Sequence, residues 1–145
     1  MIEMSGDTIL VEPWFIYRQP AVAPIIQEQP SVLLRRGDAL EAEIFARGMV
    51  DVVISTGLGE FLGEAELACL YANVQQALRP GGVFYISATG LEPRSEALLR
   101  AMELETNYRD WAALERVFAV AAPRWQSIEI EVDESGLQTF VRASN

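Results

Sequence analysis

Val50, Val52, Val53 and Ile54 make a short β-branched apolar run, and Ser55-Thr56-Gly57-Leu58-Gly59 breaks it with two glycines. Such a run predicts a strand covered on both faces, with an exposed loop at its carboxyl end. From Glu64 to Leu78 the apolar residues Leu67, Leu70, Tyr71, Val74, Ala77 and Leu78 recur every three or four positions, one stripe of a helix. Pro80-Gly81-Gly82 ends it, and Val83-Phe84-Tyr85-Ile86 is the next strand. Two strands joined through a helix form a parallel, right-handed β-α-β unit. In open α/β sheets ligands sit beyond the carboxyl ends of the strands, which singles out the loop after Ile54.

The flanking pattern extends this unit in both directions. Thr8 to Val11 reads as a short strand ending at Glu12-Pro13, and Ser31-Val32-Leu33-Leu34 as another. Between them Pro20 and Pro24 each cost roughly 3 kcal/mol inside a helix, so Phe15 to Gln29 reads as broken helix or irregular chain. Glu41 to Arg47 makes a short helix closed by Gly48. Beyond Ala88, residues Thr89 to Pro93 form a loop, and Ser95 caps a helix through Met102. Asp110 caps a further helix with Trp111, Leu114, Val117, Phe118 and Val120 as its apolar face, stopped by Pro123. Then the period changes: Trp125, Ile128, Ile130 and Val132 alternate with polar residues, Asp133-Glu134-Ser135-Gly136 turns, and Leu137, Phe140 and Val141 return as an antiparallel hairpin.

Composition narrows the function classes. At 145 residues, with half of them apolar, the chain is expected to form a single domain over residues 1–145. No apolar run is long enough for a membrane span, and the start lacks a basic end followed by an apolar core, so no membrane association is expected and a cytoplasmic location is. Cys69 alone makes no internal disulfide framework and reads as a small buried hydrophobe. With no histidine and no clustered carboxylates, no metal site is expected. The net charge of -10, with all 11 basic residues arginine, disfavours nucleic acid and leaves a small molecule or a protein as partner.

The segment DVVIS…GLGEFL…LYANVQQALRPGGVFYIS resembles the fourth and fifth strands of class I S-adenosylmethionine (SAM)-dependent methyltransferases. In that family a strand beginning with Asp leads through a helix ending in L-(R/K)-P-G-G to a second strand; here these are Asp51 and Leu78-Arg79-Pro80-Gly81-Gly82. A terminal antiparallel hairpin is the family's arrangement too. The resemblance implies an α/β, Rossmann-like methyltransferase fold, mostly parallel, with a C-terminal antiparallel hairpin. The family's first strand leads into an (E/D)-x-G-x-G-x-G loop, and no such motif precedes Thr8. The chain therefore resembles the fold from its second strand onward, truncated by the first strand and helix. The gap between the strands at Thr8 and Val50 is expected to close by their direct pairing or by another chain, in a homodimer or with a partner.

The resemblance also implies site residues. Glu12 matches the acid that accepts hydrogen bonds from the SAM ribose, or it is a solvated loop acid. Asp38 matches the acid that meets the adenine amino group, with Ala39 against the ring, or it caps the helix starting near Leu40. Ser55, Thr56 and Gly57 stand where the family's loop faces the methyl donor. Leu58, Glu60, Phe61 and Thr89 are candidate substrate contacts, although Phe61 reads more readily as core; Tyr85 points to the core, the favoured reading, or to the pocket. Thr56-Gly57-Leu58-Gly59 replaces the (N/D)-P-P-(Y/F) of members that methylate adenine or amide nitrogen, which disfavours that chemistry. Arg94 is a further contact candidate; Tyr108 and Arg109 could form part of a lid, or Arg109 could be solvated; Trp14 could cover adenine or plug the gap. Methyl transfer needs in-line positioning and exclusion of water more than a fixed acid–base set, so no catalytic residue is assigned; an acceptor needing deprotonation would turn to a carboxylate such as Glu60. The expected function is methyl transfer from SAM to a small-molecule acceptor. The alternative is a catalytically inactive methyltransferase-like module for binding or dimerisation. A nicotinamide dehydrogenase is disfavoured by the hairpin and by the absence of G-x-G-x-x-G.

Overall fold

The structure is a computed structural model that describes residues 8–12, 32–36, 38–42, 47–90, 96–97, 100–101, 106–121, 125–134, 136 and 138–145, the first two stretches as backbone alone. Met1–Ile44 and Phe45–Asn145 form two compact units. In the first, β1 (Thr8–Glu12) and β2 (Val32–Arg36) pair in parallel, Thr8 opposite Val32 and Glu12 opposite Arg36. Both strands stand where the apolar runs place them.

The second unit holds a four-stranded sheet in the order β3-β4-β6-β5. Its strands are β3 (Val50–Ser55), β4 (Leu78–Thr89), β5 (Ser127–Val132) and β6 (Gln138–Ser144). β3 runs parallel to β4, while β6 runs antiparallel to both β4 and β5. The architecture is thus α/β with a mixed sheet. The described pairing of β1 is to β2 and that of β3 is to β4, so the direct pairing of β1 with β3 is not among them.

Helix α1 (Glu64–Ala77) links β3 to β4, and Glu66 Oε2 accepts the Gly63 N–H at 2.8 Å to start it. Its predicted stripe is the buried one: Leu67, Leu70, Tyr71, Val74 and Ala77. Cys69 lies off that stripe and is exposed, which corrects the reading of it as a buried hydrophobe. Helix α2 (Trp111–Ala121) starts with the Ala113 N–H donating to Asp110 Oδ1 at 2.8 Å, the predicted cap. It buries Ala113, Leu114, Val117 and Phe118, whereas Trp111 and Val120 are exposed and are not part of the apolar face assigned to them. The predicted cap at Ser95 lies outside the described residues, although Glu96 and Arg100 form an i,i+4 ion pair.

The Pro80-Gly81-Gly82 stretch is not a turn between helix and strand but part of β4 itself. Gly81 has φ +78, which L side chains rarely adopt. A Cβ on Gly82 would stand 2.9 Å from Arg79 O and 3.1 Å from Val50 O, so only a glycine lets β4 pass this close to the start of β3. The register between the strands shifts there, between Val50 and Val52. Arg79 and Asp51 form an ion pair across the shift, exposed on both sides and so worth little by itself.

The helices cover one face of the sheet. Phe84, Ile86, Val141 and Ala143 point into it and are at most 1% exposed. Tyr71 packs edge-on against Phe84 at 5.3 Å between ring centres and tilted against Phe118 at 4.4 Å, while Trp125 stacks on Phe84 at 6.1 Å. Such pairs add about 0.5–1.5 kcal/mol each beyond their buried area. The opposite face is open along β3: Val52 is 52% and Ile54 68% exposed. That overturns the reading of this run as covered on both faces. Tyr85, next to them, is half-buried and stacks on Phe140 at 5.8 Å, so it packs on the sheet surface.

Candidate functional site at the carboxyl ends of β3 and β4

Beyond Ser55 the chain leaves the sheet as a loop, in which Gly57 takes φ +79, and enters a 3₁₀ turn, Gly59–Phe61. Gly59 sits against Leu67, Ile86 and the Ser87 carbonyl, with 3.4–3.7 Å left for any Cβ. That packing turns the next side chain, Glu60, into the protein, where it is 5% exposed. Its Oε1 accepts long, weak hydrogen bonds from Ser87 Oγ at 3.5 Å and Thr89 Oγ1 at 3.4 Å, both at the end of β4. Ser87 Oγ also accepts the Gly57 N–H at 3.2 Å, tying the loop to the strand. Glu60 Oε2 is buried and has no hydrogen-bond partner.

The segment entering α2 closes over this turn. Asn107 N–H donates to Glu60 O at 2.6 Å, Asn107 Nδ2 to Leu62 O at 3.1 Å, and Arg109 N–H to Thr89 O at 3.1 Å. The Arg109 guanidinium donates to Gly59 O at 2.7 Å and to Leu62 O. At 4% exposure Arg109 is a buried clamp, which corrects its reading as a solvated arginine; Tyr108 beside it is half-buried. Tyr71 completes the group. Burial pushes its phenol far above the ordinary tyrosine range, the Arg109 guanidinium pulls it back, and the Glu60 carboxylate pushes it further up. Its hydroxyl is buried without a hydrogen-bond partner.

Of the residues expected from the sequence, Glu60 and Thr89 are in direct contact, and Gly57 joins them through Ser87. Ser55 is half-buried with an unpartnered buried Oγ, Leu58 is half-buried, Thr56 is exposed, and Phe61 is 45% exposed and so not core. In the other unit, Ala39 is buried, and exposed Asp38 accepts the Leu40 N–H on Oδ1 at 2.9 Å, as a capping residue would. Glu12 is the last residue of β1, but its side chain lies outside the described residues, as do Trp14 and Arg94. Ser87 is the partner that sequence reasoning missed, whereas Arg109 was named beside Tyr108 as part of a lid or as solvated. A serine inside the apolar Val83–Ala88 run was the one visible signal for Ser87. Among the described residues no group of three potential metal ligands occurs and no helix is long and apolar enough to cross a membrane.

No protein-family profile matches the chain, and neither does a curated protein. Solved structures do. A structure of the SAM-dependent methyltransferase SibL in its apo form superposes with a TM-score of 0.71 at 14% identity, covering 94% of this chain and 42% of that one. PigF with SAH gives 0.70 at 17% identity, covering 96% and 43%. An O-methyltransferase family protein from Burkholderia thailandensis gives 0.67 at 15%, covering 87% and 40%. The chain thus spans less than half the length of each of these. At such identities the likeness shows the fold, which is the class I SAM-dependent methyltransferase-like fold.

Proposed function

We propose that the chain is the core of a class I SAM-dependent methyltransferase acting on a small molecule, and that Glu60 receives the acceptor's reacting hydroxyl. The observation that carries this is the buried Glu60 carboxylate with one oxygen unmatched, at the carboxyl ends of β3 and β4. A buried carboxylate oxygen without a donor is costly, and a substrate O–H or a bound water removes that cost. The O-methyltransferase family protein among the matching structures supports an oxygen acceptor such as a hydroxyl.

Bound SAM would supply an electrophilic methyl group. The residues present fit it in part. Asp38 has Oδ1 engaged by Leu40 and an exposed carboxylate to offer an adenine amino group, with Ala39 beside it in sequence. Glu12 is proposed for the ribose, and Ser55, Thr56 and Gly57 for the methyl-donor end, where the Ser55 hydroxyl is buried and unmatched. Glu60 Oε2 accepts the hydroxyl proton as the oxygen becomes a nucleophile, while Ser87 and Thr89 hold Oε1 in place. Leu58 and Phe61 flank the acceptor, and the 107–109 segment excludes water from Glu60.

Calorimetric titration with SAM and with its demethylated product tests the cofactor half. Micromolar binding that Glu12→Ala and Asp38→Ala both weaken supports it; a folded chain that binds neither ligand rejects it. A second reading, a non-catalytic module that docks another chain, is favoured by β3, which among the described residues pairs on one side only and exposes Val52 and Ile54. Sedimentation across a concentration series separates the two, because the module predicts association that Ile54→Lys abolishes.

A further inference from the structure

A second concavity shares no residue with the Glu60 site. It is a groove of about 460 Å³ between α2 and β5, lined by Trp111, Glu115, Phe118, Ala119, Trp125 and Ile128, with Ile130 at its floor. That volume falls within the range of small-molecule pockets. Three features decide what it would hold. Its walls are aromatic: Trp125 uses one face to stack on Phe84 and meets Phe118 edge-on at 5.8 Å, and Trp111 is 56% exposed at the rim. Glu115 is the one charged residue in the lining, exposed, and among the described residues it has no ion pair. Ile128 and Ile130 complete the lining with aliphatic surface, which suits an apolar body.

We propose that this groove is a binding site for a small organic cation: an ammonium group seated against the indole rings and Glu115, on an apolar body. Indole faces attract cations through the ring quadrupole, and a carboxylate at the same rim selects for positive charge over a neutral group of equal shape. The acidity of the whole chain, -10, favours approach of such a ligand. Glu115 and Trp125 are ten residues apart in sequence, joined by the end of α2 and the entry to β5, so the site follows from how those two elements pack.

The test uses acetylcholine as probe and 3,3-dimethylbutyl acetate as its uncharged counterpart, followed by tryptophan fluorescence and calorimetry at low ionic strength. The cation is expected to bind in the millimolar range or better, and the neutral ester roughly five- to thirtyfold more weakly. Glu115→Gln, at an exposed helix position, should keep the circular dichroism spectrum and erase most of that difference. Trp125→Phe exchanges the indole for a ring that attracts cations more weakly, and should weaken acetylcholine by a factor of a few, more than the neutral ester. Equal binding of the two probes, no acetylcholine binding at 20 mM, or unchanged selectivity in Glu115→Gln each overturns the proposal. So does self-association of the unliganded chain that Glu115→Gln dissolves, since a cationic side chain of a second copy would then be the occupant.

Discussion

The two faces of the four-stranded sheet come from the same strands, yet they differ in kind. On one, Tyr71, Phe84 and Phe118 are fully buried and interlock with Trp125. On the other, Val52 and Ile54 stand in solvent beside a half-buried Tyr85–Phe140 stack. Alternation along β3 and β4 assigns side chains to faces, but it does not say what lies over a face. The covered face is settled by α1 and α2, which the chain itself supplies within this unit. The difference therefore marks where stability is made and where it is not, and it can be measured.

The largest effect should come from the covered face. Phe118→Ala removes a ring in contact with both Tyr71 and Trp125 and should cost about 3–5 kcal/mol in denaturant unfolding. A loss below 1 kcal/mol would mean that the aromatic cluster is loosely packed and that the contrast between the faces is false. Gly82→Ala comes next, because its Cβ would press on two backbone carbonyls at the shifted register, neither of which can swing aside. An expected loss of about 1–3 kcal/mol would confirm that the Pro-Gly-Gly stretch is a close crossing of strands. Gly81→Ala, with open space around it, should cost less, the strain coming from its φ alone.

Much of this unit was legible in the sequence, and the reasons are local. The α1 stripe, the Asp110 cap and the hairpin each leave a periodic or chemical signature within a dozen residues. What was not legible depended on distant partners. The Val50–Ile54 run is as apolar as a doubly covered strand, and nothing local reveals that β3 is the end strand of the sheet that the described residues form. Arg109 reads as a surface residue beside a helix cap; its burial depends on the Gly59 and Leu62 carbonyls, about fifty positions away. Within the site, Glu60 and Thr89 were found from their positions after two strands, whereas Ser87, which links them to Gly57, was hidden inside a strand.

Tyr71 tests the covered face more gently. Its phenol is held protonated by burial, so its folded-state pKa lies above the unfolded value. The contribution of this group to stability is therefore intact below the ordinary tyrosine pKa of about 10 and is lost as pH rises above it, where only the unfolded chain releases the proton. Tyr71→Phe also removes an unmatched buried hydroxyl. It should change stability by no more than about 1 kcal/mol at neutral pH, in either direction, and flatten the alkaline loss above pH 10. An unchanged alkaline slope would place the responsible group elsewhere.

The smallest effect belongs to the open face. Ile54 is 68% exposed, so exchanging it for threonine keeps the β-branch and removes little buried surface. In dilute solution the unfolding free energy should move by less than about 0.5 kcal/mol, as for an ordinary surface substitution. The informative measurement is the same pair of proteins at high concentration. If a second chain covers β3, the parent gains stability with concentration by mass action and Ile54→Thr does not. If both curves are flat, the face is open in solution and the second reading of the protein as a docking module fails. A loss of 2 kcal/mol in the dilute sample would instead show that Ile54 is packed against something, and the contrast between the faces would then be one of partners and not of burial.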